Sequence, residues 1–235
     1  MGAGTLLLVP TPLGDGALDE SVPALVQARV RRIDRFVVEE PKRARAFLKR
    51  IGHPRPLASL AIDPLPERPD RAALDRLLAP LMGGADTALL SDVGAPAVAD
   101  PGALLVRRAH ELAIRVAPLV GPSAILLALM ASGLEGQRFA FHGYLPVAEG
   151  ALATQLKALE ADSRRERRTE IFIETPYRTD RLLRAITAAC APATLLSVAV
   201  ELTLPGETIA TRTIAAWRRA LPALGRRPAV FLLLA

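Results

Sequence analysis

Short apolar runs alternate along this chain with longer amphipathic runs, and this alternation restricts the possible folds more than any other feature of the sequence. The runs at 5–9, 33–38 and 87–90 have the length and composition of buried β-strands, and a segment with helical spacing follows each of them. The run at 87–90 contains no charged residue, which favours a central strand covered on both faces. The pattern therefore predicts an α/β fold with layered helices and strands.

The character of the sequence changes after about Gly136, and we predict two α/β lobes, residues 1–134 and 135–235. The segment at 122–131 is apolar on nearly all sides, which is typical of a core helix in the first lobe. In the second lobe, the alternating segment at 207–213 is typical of a strand near a sheet edge. The run at 139–144 predicts a strand, and the polar, basic segment at 162–168 predicts a loop. The apolar run at 229–234 predicts a final buried strand.

The composition excludes several classes of protein. Hydrophobic residues make up 51% of the chain and charged residues 23%, which is a globular composition. Aromatic residues make up only 4%, which argues against an RNA-binding surface of the RNP type. One cysteine and three separated histidines argue against a disulfide framework and against a metal site. The sequence has no apolar run of membrane-spanning length and no basic leader, so we expect no membrane partner and a cytoplasmic location.

The formal net charge of +6 has two interpretations. The basic residues cluster at 29–35, 42–50 and 164–168, and such clusters are typical either of a solvated surface or of a polyanion site. A polyanion partner would be a molecule such as RNA. Charge alone leaves both interpretations open.

Four segments with unusual residues follow predicted strands, at 10–15, 90–102, 121–124 and 174–178. Ligands of open α/β sheets bind at such strand ends. Asp92 is suited to an amine or a ribose hydroxyl, whereas Asp100, directly before Pro101, is typical of a helix N-cap. The segment at 121–124 is suited to a carboxylate or nucleoside, or else to simple capping. Neither a dinucleotide-binding glycine motif nor a P-loop is present.

In order and spacing, five motifs resemble those of the tetrapyrrole (corrin/porphyrin) methylase superfamily. The motifs are T-P-L-G-D at 11–15, S-D-x-G-x-P-x-x-x-D-P-G at 91–102, G-P-S-A at 121–124, G-Y-L-P at 143–146 and E-T-P-Y-R at 174–178. Within that superfamily they look closest to the ribosomal RNA small-subunit methyltransferase I branch. The resemblance implies two α/β lobes of the tetrapyrrole-methylase type, with S-adenosyl-L-methionine in a cleft between them, and a homodimer.

The resemblance also implies a set of cofactor-binding residues, whereas the catalytic and phosphate-binding candidates follow from their position near predicted strand ends and from their charge. The cofactor-binding set is Pro12, Leu13, Gly14, Ser91, Asp92, Val93, Gly94, Ala95, Ser123, Ala124, Glu174, Leu202 and Ala229. A ribose hydroxyl also needs a group that accepts its proton, and the unranked candidates for this catalytic role are Glu39, Glu40 and Asp100. Arg43, Arg45 and Arg178 are candidates for binding substrate phosphates.

The predicted activity is S-adenosylmethionine-dependent methyl transfer to a ribose 2′-hydroxyl of ribosomal RNA, with RNA or a ribosomal subunit as partner. The chain departs from that branch on the substrate side, since Glu39-Glu40-Pro41-Lys42 replaces the usual Glu-Asp-Thr-Arg. Thr175-Pro176-Tyr177-Arg178 likewise replaces the usual Ser-Pro-His-Arg. These departures keep two alternatives open, which are C-methylation of a tetrapyrrole and a non-catalytic protein that binds S-adenosylmethionine.

Overall fold

The structure is a computed structural model that describes residues 2–16 and 18–235. It divides into two compact units, which we call unit 1 (Met1–Ser123) and unit 2 (Ala124–Ala235). The boundary therefore lies between Ser123 and Ala124, whereas the sequence led us to expect it after residue 134. Each unit contains one five-stranded sheet.

The sheet of unit 1 is entirely parallel, with strand order β3-β2-β4-β1-β5. Its strands are β1 (Thr5–Val9), β2 (Arg35–Val38), β3 (Ala61–Pro64), β4 (Thr87–Leu90) and β5 (Arg115–Pro118). The helices of unit 1 are α1 (Leu18–Ser21), α2 (Ala24–Val30), α3 (Pro41–Arg50), α4 (Arg71–Met82) and α5 (Gly102–Glu111). The α/β fold class is confirmed, and β4 occupies the central position that its uncharged sequence predicts.

Helices cover both faces of this sheet. Successive strand residues point to opposite faces, so neighbouring residues pack in different cores. Leu90 packs in one core with residues of α2 and α3, whereas its neighbour Leu89 packs in a second core with residues of α4 and α5. Burial on both faces explains why the strands are continuously apolar rather than alternating.

The sequence also predicts a short strand at 57–62 and a helix at 22–29 that Ser21 is able to cap, and the predictions of the strand and of the cap are wrong. The segment at 57–62 is not one strand, because the Ser59 amide donates to the Pro56 carbonyl (2.9 Å) and closes a 3₁₀ turn before β3. Ser21 does not cap the helix that follows it. That helix begins after Pro23, and the Ser21 hydroxyl donates instead to the Leu18 carbonyl (3.2 Å).

The sheet of unit 2 is mixed, with strand order β6-β7-β10-β8-β9. Its strands are β6 (Phe139–Tyr144), β7 (Thr169–Glu174), β8 (Leu195–Val200), β9 (Thr208–Thr213) and β10 (Ala229–Leu234). Its helices are α6 (Ala124–Ser132), α7 (Glu149–Glu166), α8 (Thr179–Ala189) and α9 (Ile214–Arg219). Strands β6 and β7 are parallel, and the remaining pairs are antiparallel. As predicted, β9 is an edge strand.

Helix α7 is longer than its sequence suggests, since the basic segment at 162–168 was predicted to be a loop. The helix continues to Glu166 because its buried stripe of Leu152, Leu156 and Leu159 is extended by Ser163. It ends at Arg167, whose backbone is left-handed with φ of 50°.

Helix α6 packs on β8, β9 and β10, which is why it belongs to unit 2. The prediction of a core helix is only partly right. Ala128 and Leu129 are buried, but the side chains of Leu126 and Met130 are 51% and 79% exposed. Among the described residues, no helix is both long and apolar enough to span a membrane.

Candidate functional site

The carboxyl ends of all five strands in unit 1 meet at one edge of the sheet, because the strands are parallel. The loops that follow β1, β2 and β4 carry most of the residues that the sequence singled out. These loops are joined to one another by hydrogen bonds, which are described below.

The loop after β1 is tied directly to the loop after β4. The Thr11 amide donates to the Gly94 carbonyl (3.0 Å), and the Gly94 amide donates to the Thr11 carbonyl (3.1 Å). The Thr11 hydroxyl also donates to the Ser91 carbonyl (3.1 Å). Gly94 has a φ of 78°, and a Cβ there would lie 3.2 Å from a methyl carbon of Leu13. The structure thus brings together the predicted cofactor segments at 12–14 and 91–95.

The loop after β4 has an unusual backbone. Ala97 and Ala99 both have a φ of 63°, in the left-handed region that favours glycine. Such a conformation costs an alanine about 1–2 kcal/mol. Backbone strain of this kind is concentrated at functional sites, where surrounding contacts hold it in place.

Carboxylates connect the ends of β2 and β4 reciprocally. Glu39 Oε1 accepts a hydrogen bond from the Asp92 amide (3.2 Å), and Asp92 Oδ1 accepts one from the Glu40 amide (3.1 Å). Asp92 Oδ2 also lies 3.6 Å from Arg43 Nε. Glu40 Oε1 accepts from the Lys42 amide (3.0 Å), so its side chain caps the beginning of α3. Of the two adjacent glutamates, only Glu39 faces the loop after β4.

Asp100 is held by the backbone around it. Its Oδ1 accepts from the Ala97 amide (2.7 Å) and from the Gly102 amide (2.8 Å). Gly102 is the first residue of α5, so the Asp100 carboxylate satisfies an amide at the beginning of that helix, although the N-cap residue is Pro101 and not Asp100 as predicted. The Asp100 carboxyl also lies beside the side chains of Ser91 and Glu39, both of which act to lower its pKa. Asp100 is thus a rigid partner of Glu39.

Glu39 and Asp100 form a carboxyl pair with a perturbed affinity for protons. Burial raises the pKa of Glu39, and the nearby charges of Asp100 and Asp92 raise it further. Burial also raises the pKa of Asp100, although the Gly102 and Ala97 amides oppose this by stabilising its ionised form. Of the pair, Glu39 is the carboxyl whose pKa is raised by the charge of its neighbour, because the two amides stabilise the ionised form of Asp100.

Sequence reasoning named both of these carboxylates but missed their contact. Glu39 ends the segment after β2, whereas Asp100 ends the long loop after β4. No sequence signal links them, because the contact depends on β2 and β4 being neighbours in the sheet.

The two basic candidates on α3 are exposed. Arg43 forms the ion pair with Asp92 described above, and Arg45 has no ion-pair partner within the described part of the chain. Arg43 therefore presents its charge to solvent beside Asp92, and Arg45 presents its charge to solvent from the same helix, α3. Ser123 and Ala124 lie on either side of the boundary between the units and are partly buried.

The remaining candidates belong to unit 2. Ala229 pairs with Glu174 on one side of β10 and with Val200 on the other, and Leu202 follows shortly after β8. Glu174, Leu202 and Ala229 therefore lie at one end of this sheet. Glu174 Oε1 accepts from Nε (2.9 Å) and Nη2 (2.6 Å) of Arg178. Arg178 was predicted to bind phosphate, and in this structure its guanidinium neutralises Glu174.

Comparison with known proteins decides the family. The family model described as Tetrapyrrole (Corrin/Porphyrin) Methylases matches residues 6–217. The chain belongs to this family. Members of the family use S-adenosylmethionine as methyl donor, so the chain is classed among the S-adenosylmethionine-dependent methyltransferases, as its motifs predict.

Curated relatives of this tetrapyrrole methylase bear the name ribosomal RNA small subunit methyltransferase I. The protein from Pseudomonas aeruginosa is 37% identical over 76% of this chain and 59% of its own length. The proteins from Xylella fastidiosa and Escherichia coli O157:H7 are 36% and 35% identical over 90% and 88% of this chain, which is 73% and 68% of their own lengths. The matches thus span between about three fifths and three quarters of these relatives.

Two solved methyltransferases have a similar fold. The methyltransferase CobJ aligns with a TM-score of 0.63 and 20% identity, covering 100% of this chain and 94% of its own. The uroporphyrin-III-C-methyltransferase from Thermus thermophilus aligns with a TM-score of 0.52 and 20% identity, covering 98% and 92%. This similarity confirms the predicted tetrapyrrole-methylase fold.

The residues of unit 1 fit the chemistry of the family's cofactor. The partly exposed Asp92 carboxylate is an acceptor suited to the hydroxyl or ammonium groups of S-adenosylmethionine. Val93 is 46% exposed and offers an apolar contact beside it. Gly94 permits close backbone approach, since it has no side chain and its φ of 78° is unfavourable for other residues.

Proposed function

We propose that this tetrapyrrole methylase transfers a methyl group from S-adenosylmethionine to a ribose 2′-hydroxyl of ribosomal RNA. The observation that carries the proposal is the similarity, over most of the chain, to proteins named ribosomal RNA small subunit methyltransferase I. The carboxyl pair of unit 1 supports it, because a hydroxyl nucleophile must lose a proton. Such a substrate is met in the cytoplasm, which is the location that the sequence predicts.

We assign the role of general base to Glu39. Two backbone amides donate to Asp100 Oδ1 and hold it in place, and Glu40 caps α3, whereas burial and the charge of Asp100 raise the pKa of Glu39. A raised pKa brings a carboxylate closer to the operating pH and improves proton transfer. When bound, S-adenosylmethionine supplies an electrophilic methyl group on its sulfonium.

The other residues of the site position the Glu39 carboxylate and provide charge for the substrate. The Asp92 amide and the rigid Asp100 fix the position of the Glu39 carboxylate, which is what an acid–base group needs in order to meet its substrate in one geometry. Arg43 and Arg45 on α3 provide positive charge for RNA phosphates near that carboxylate.

The decisive experiment compares the ribosomal RNA nucleosides of a deletion strain with those of its parent by mass spectrometry. We expect one 2′-O-methyl nucleoside to be lost in the deletion strain and restored by the wild-type gene. The gene encoding Glu39→Gln should not restore it. In a purified assay, methyl transfer to uroporphyrinogen in place of ribosomal RNA would contradict the proposal. Cofactor binding without transfer to either substrate would favour a non-catalytic protein.

We further propose that the protein is a homodimer whose contact includes α6. Leu126 and Met130 form an exposed apolar surface on this helix, and such surface is commonly buried against a second copy. The apolar run at 230–234 is a second sequence feature that would favour dimerisation if it were exposed, but β10 lies between β7 and β8 in the sheet and gives no support. Light scattering of the wild-type protein should give a mass of twice the 25.0 kDa of one chain. The double variant Leu126→Glu with Met130→Glu should give the mass of a single chain.

A further inference from the structure

The only two tyrosines of the chain lie at or just after the ends of two neighbouring strands of unit 2. Tyr144 ends β6, and Tyr177 follows the end of β7 by three residues. These strands are parallel neighbours, and Tyr144 pairs with Ile173, so both tyrosines lie at the same edge of the sheet. Their side chains are 58% and 78% exposed, so neither contributes a buried ring to the core.

One arginine contacts the Tyr177 ring, and a second arginine binds the segment that follows Tyr144. The guanidinium carbon of Arg226 lies 5.2 Å from the centroid of the Tyr177 ring, within the range of a cation–π contact. Arg181 Nη2 donates to the carbonyl of Val147 (3.0 Å), which holds α8 against the segment that follows Tyr144. We call Tyr144, Tyr177, Arg181 and Arg226 the tyrosine platform.

The platform carries positive charge that unit 2 itself does not neutralise. Nearby Arg178 and Arg227 are paired with Glu174 and Glu201. Arg181 and Arg226 have no ion-pair partner among the described residues.

Asp180 precedes Arg181 in the chain and is an acidic group that could neutralise the arginines of the platform. Its two carboxylate oxygens accept from the amides of Leu224 (2.6 Å) and Gly225 (3.2 Å). The carboxylate is therefore engaged by the backbone of the segment that leads to Arg226, and it orders that segment rather than pairing with the arginines.

From this arrangement we infer that the tyrosine platform binds unpaired nucleobases of the RNA substrate, with Tyr177 stacking on a base while Arg181 and Arg226 contact its phosphates. Exposed aromatic rings flanked by cations are the chemistry that recognises single-stranded nucleic acid. The inference deepens the proposed function and rests on RNA being the substrate. It assigns substrate contacts to unit 2 in addition to those of α3.

Fluorescence anisotropy of a fluorescein-labelled, unstructured RNA 12-mer tests this inference with the full-length protein. Tyr177→Ala should weaken binding at least about fivefold, which is the lower end of what one base–aromatic stack contributes. Tyr177→Phe should retain near wild-type affinity, because it keeps the ring. Phe139→Ala is the matched control, since Phe139 is an exposed aromatic at the opposite end of β6 and should bind as wild type does.

A second readout reports stacking itself. The same RNA containing 2-aminopurine should lose fluorescence on binding to wild-type protein and to Tyr177→Phe, but much less on binding to Tyr177→Ala at saturation. Equal RNA affinity and equal quenching by Tyr177→Ala would overturn the platform while leaving the proposed function standing. A loss of S-adenosylhomocysteine affinity in Tyr177→Ala as large as its loss of RNA affinity would also overturn the platform, because the ring would then contact the cofactor. Failure of wild-type protein to methylate ribosomal RNA would overturn the proposed function instead.

Discussion

Units 1 and 2 both contain a five-stranded sheet, but they gather functional groups differently. In unit 1 every strand is parallel, so all five carboxyl ends and their long loops meet at one edge. In unit 2 the antiparallel β9 and β10 begin where β7 and β8 end, so that edge contains short connections as well as loops. The parallel arrangement thus places the loops after all five strands at one end of the sheet, whereas the mixed arrangement divides them between the two ends.

The two units also treat buried carboxylates differently. In unit 1, Glu39 and Asp100 contact each other, and burial raises the pKa of both. In unit 2, the fully buried Glu170 accepts from Arg168 Nε (2.7 Å) and lies 2.5 Å from His142 Nε2. Two adjacent carboxyls perturb each other's affinity for protons and are suited to acid–base chemistry, whereas Glu170 is held in an ion pair with the Arg168 guanidinium.

The largest expected effect is that of Glu39→Gln on methyl transfer. If Glu39 is the general base, kcat should fall about 10²- to 10⁴-fold. Because burial raises the pKa of Glu39, the wild-type rate should rise with pH through a pKa above the ordinary value of 4.5, and this rise should disappear in the variant. A pH–rate profile of both proteins checks this, with the exposed Glu67→Gln as control. An unchanged kcat in Glu39→Gln would remove the proton-transfer role.

Next in size is the effect of Arg168→Met on stability. Removal of one member of a buried pair leaves Glu170 without its arginine, which should lower the free energy of unfolding by about 3 kcal/mol. The double variant Arg168→Met with Glu170→Leu should recover much of that loss, because no uncompensated charge remains. Urea unfolding of the three proteins measures this. Equal stability of the single variant and wild type would show that the ion pair with Arg168 does not contribute to folding.

The candidate residues show which differences between units 1 and 2 were predictable from the sequence. The S-D-x-G-x-P-x-x-x-D-P-G motif and the T-P-L-G-D motif were expected in one site, and hydrogen bonds between Thr11 and Gly94 join them. The pairing of Glu39 with Asp100 was not predictable, nor was the neutralisation of Glu174 by Arg178. Those contacts depend on strand order and on side-chain direction, which local sequence patterns do not encode.

A moderate effect is expected for Asp92→Ala on cofactor affinity. If Asp92 forms a charge-assisted hydrogen bond, S-adenosylhomocysteine should bind about tenfold more weakly, which corresponds to roughly 1.4 kcal/mol. Calorimetry measures this, and Asp63→Ala is the control because Asp63 is an exposed carboxylate on the outer strand β3. Equal affinity of Asp92→Ala and wild type would exclude Asp92 from the cofactor site.

The smallest expected effect is on the salt dependence of RNA binding. Charge reversal of Arg43 and Arg45 together should flatten the plot of log affinity against log salt by about 0.7 for each phosphate that α3 no longer binds. Reversal of Arg71 and Arg107 is the matched control, because these exposed arginines lie on α4 and α5 across the sheet from α3. Anisotropy titrations at several salt concentrations decide it, and identical slopes for the two double variants would make α3 an ordinary solvated surface.

The sequence by itself determined the α/β layering, several strand limits and the family, because these follow from local apolar periodicity and from contiguous motifs. The limits of β1, β4, β6 and β10 agree with the prediction, since each is a short apolar run. Only the tertiary structure decided that β10 is central, that α6 belongs to unit 2 with two apolar side chains exposed, and that Glu39 meets Asp100. The physical reason is that burial and proton affinity depend on which segments become neighbours, and those neighbours are distant in the chain.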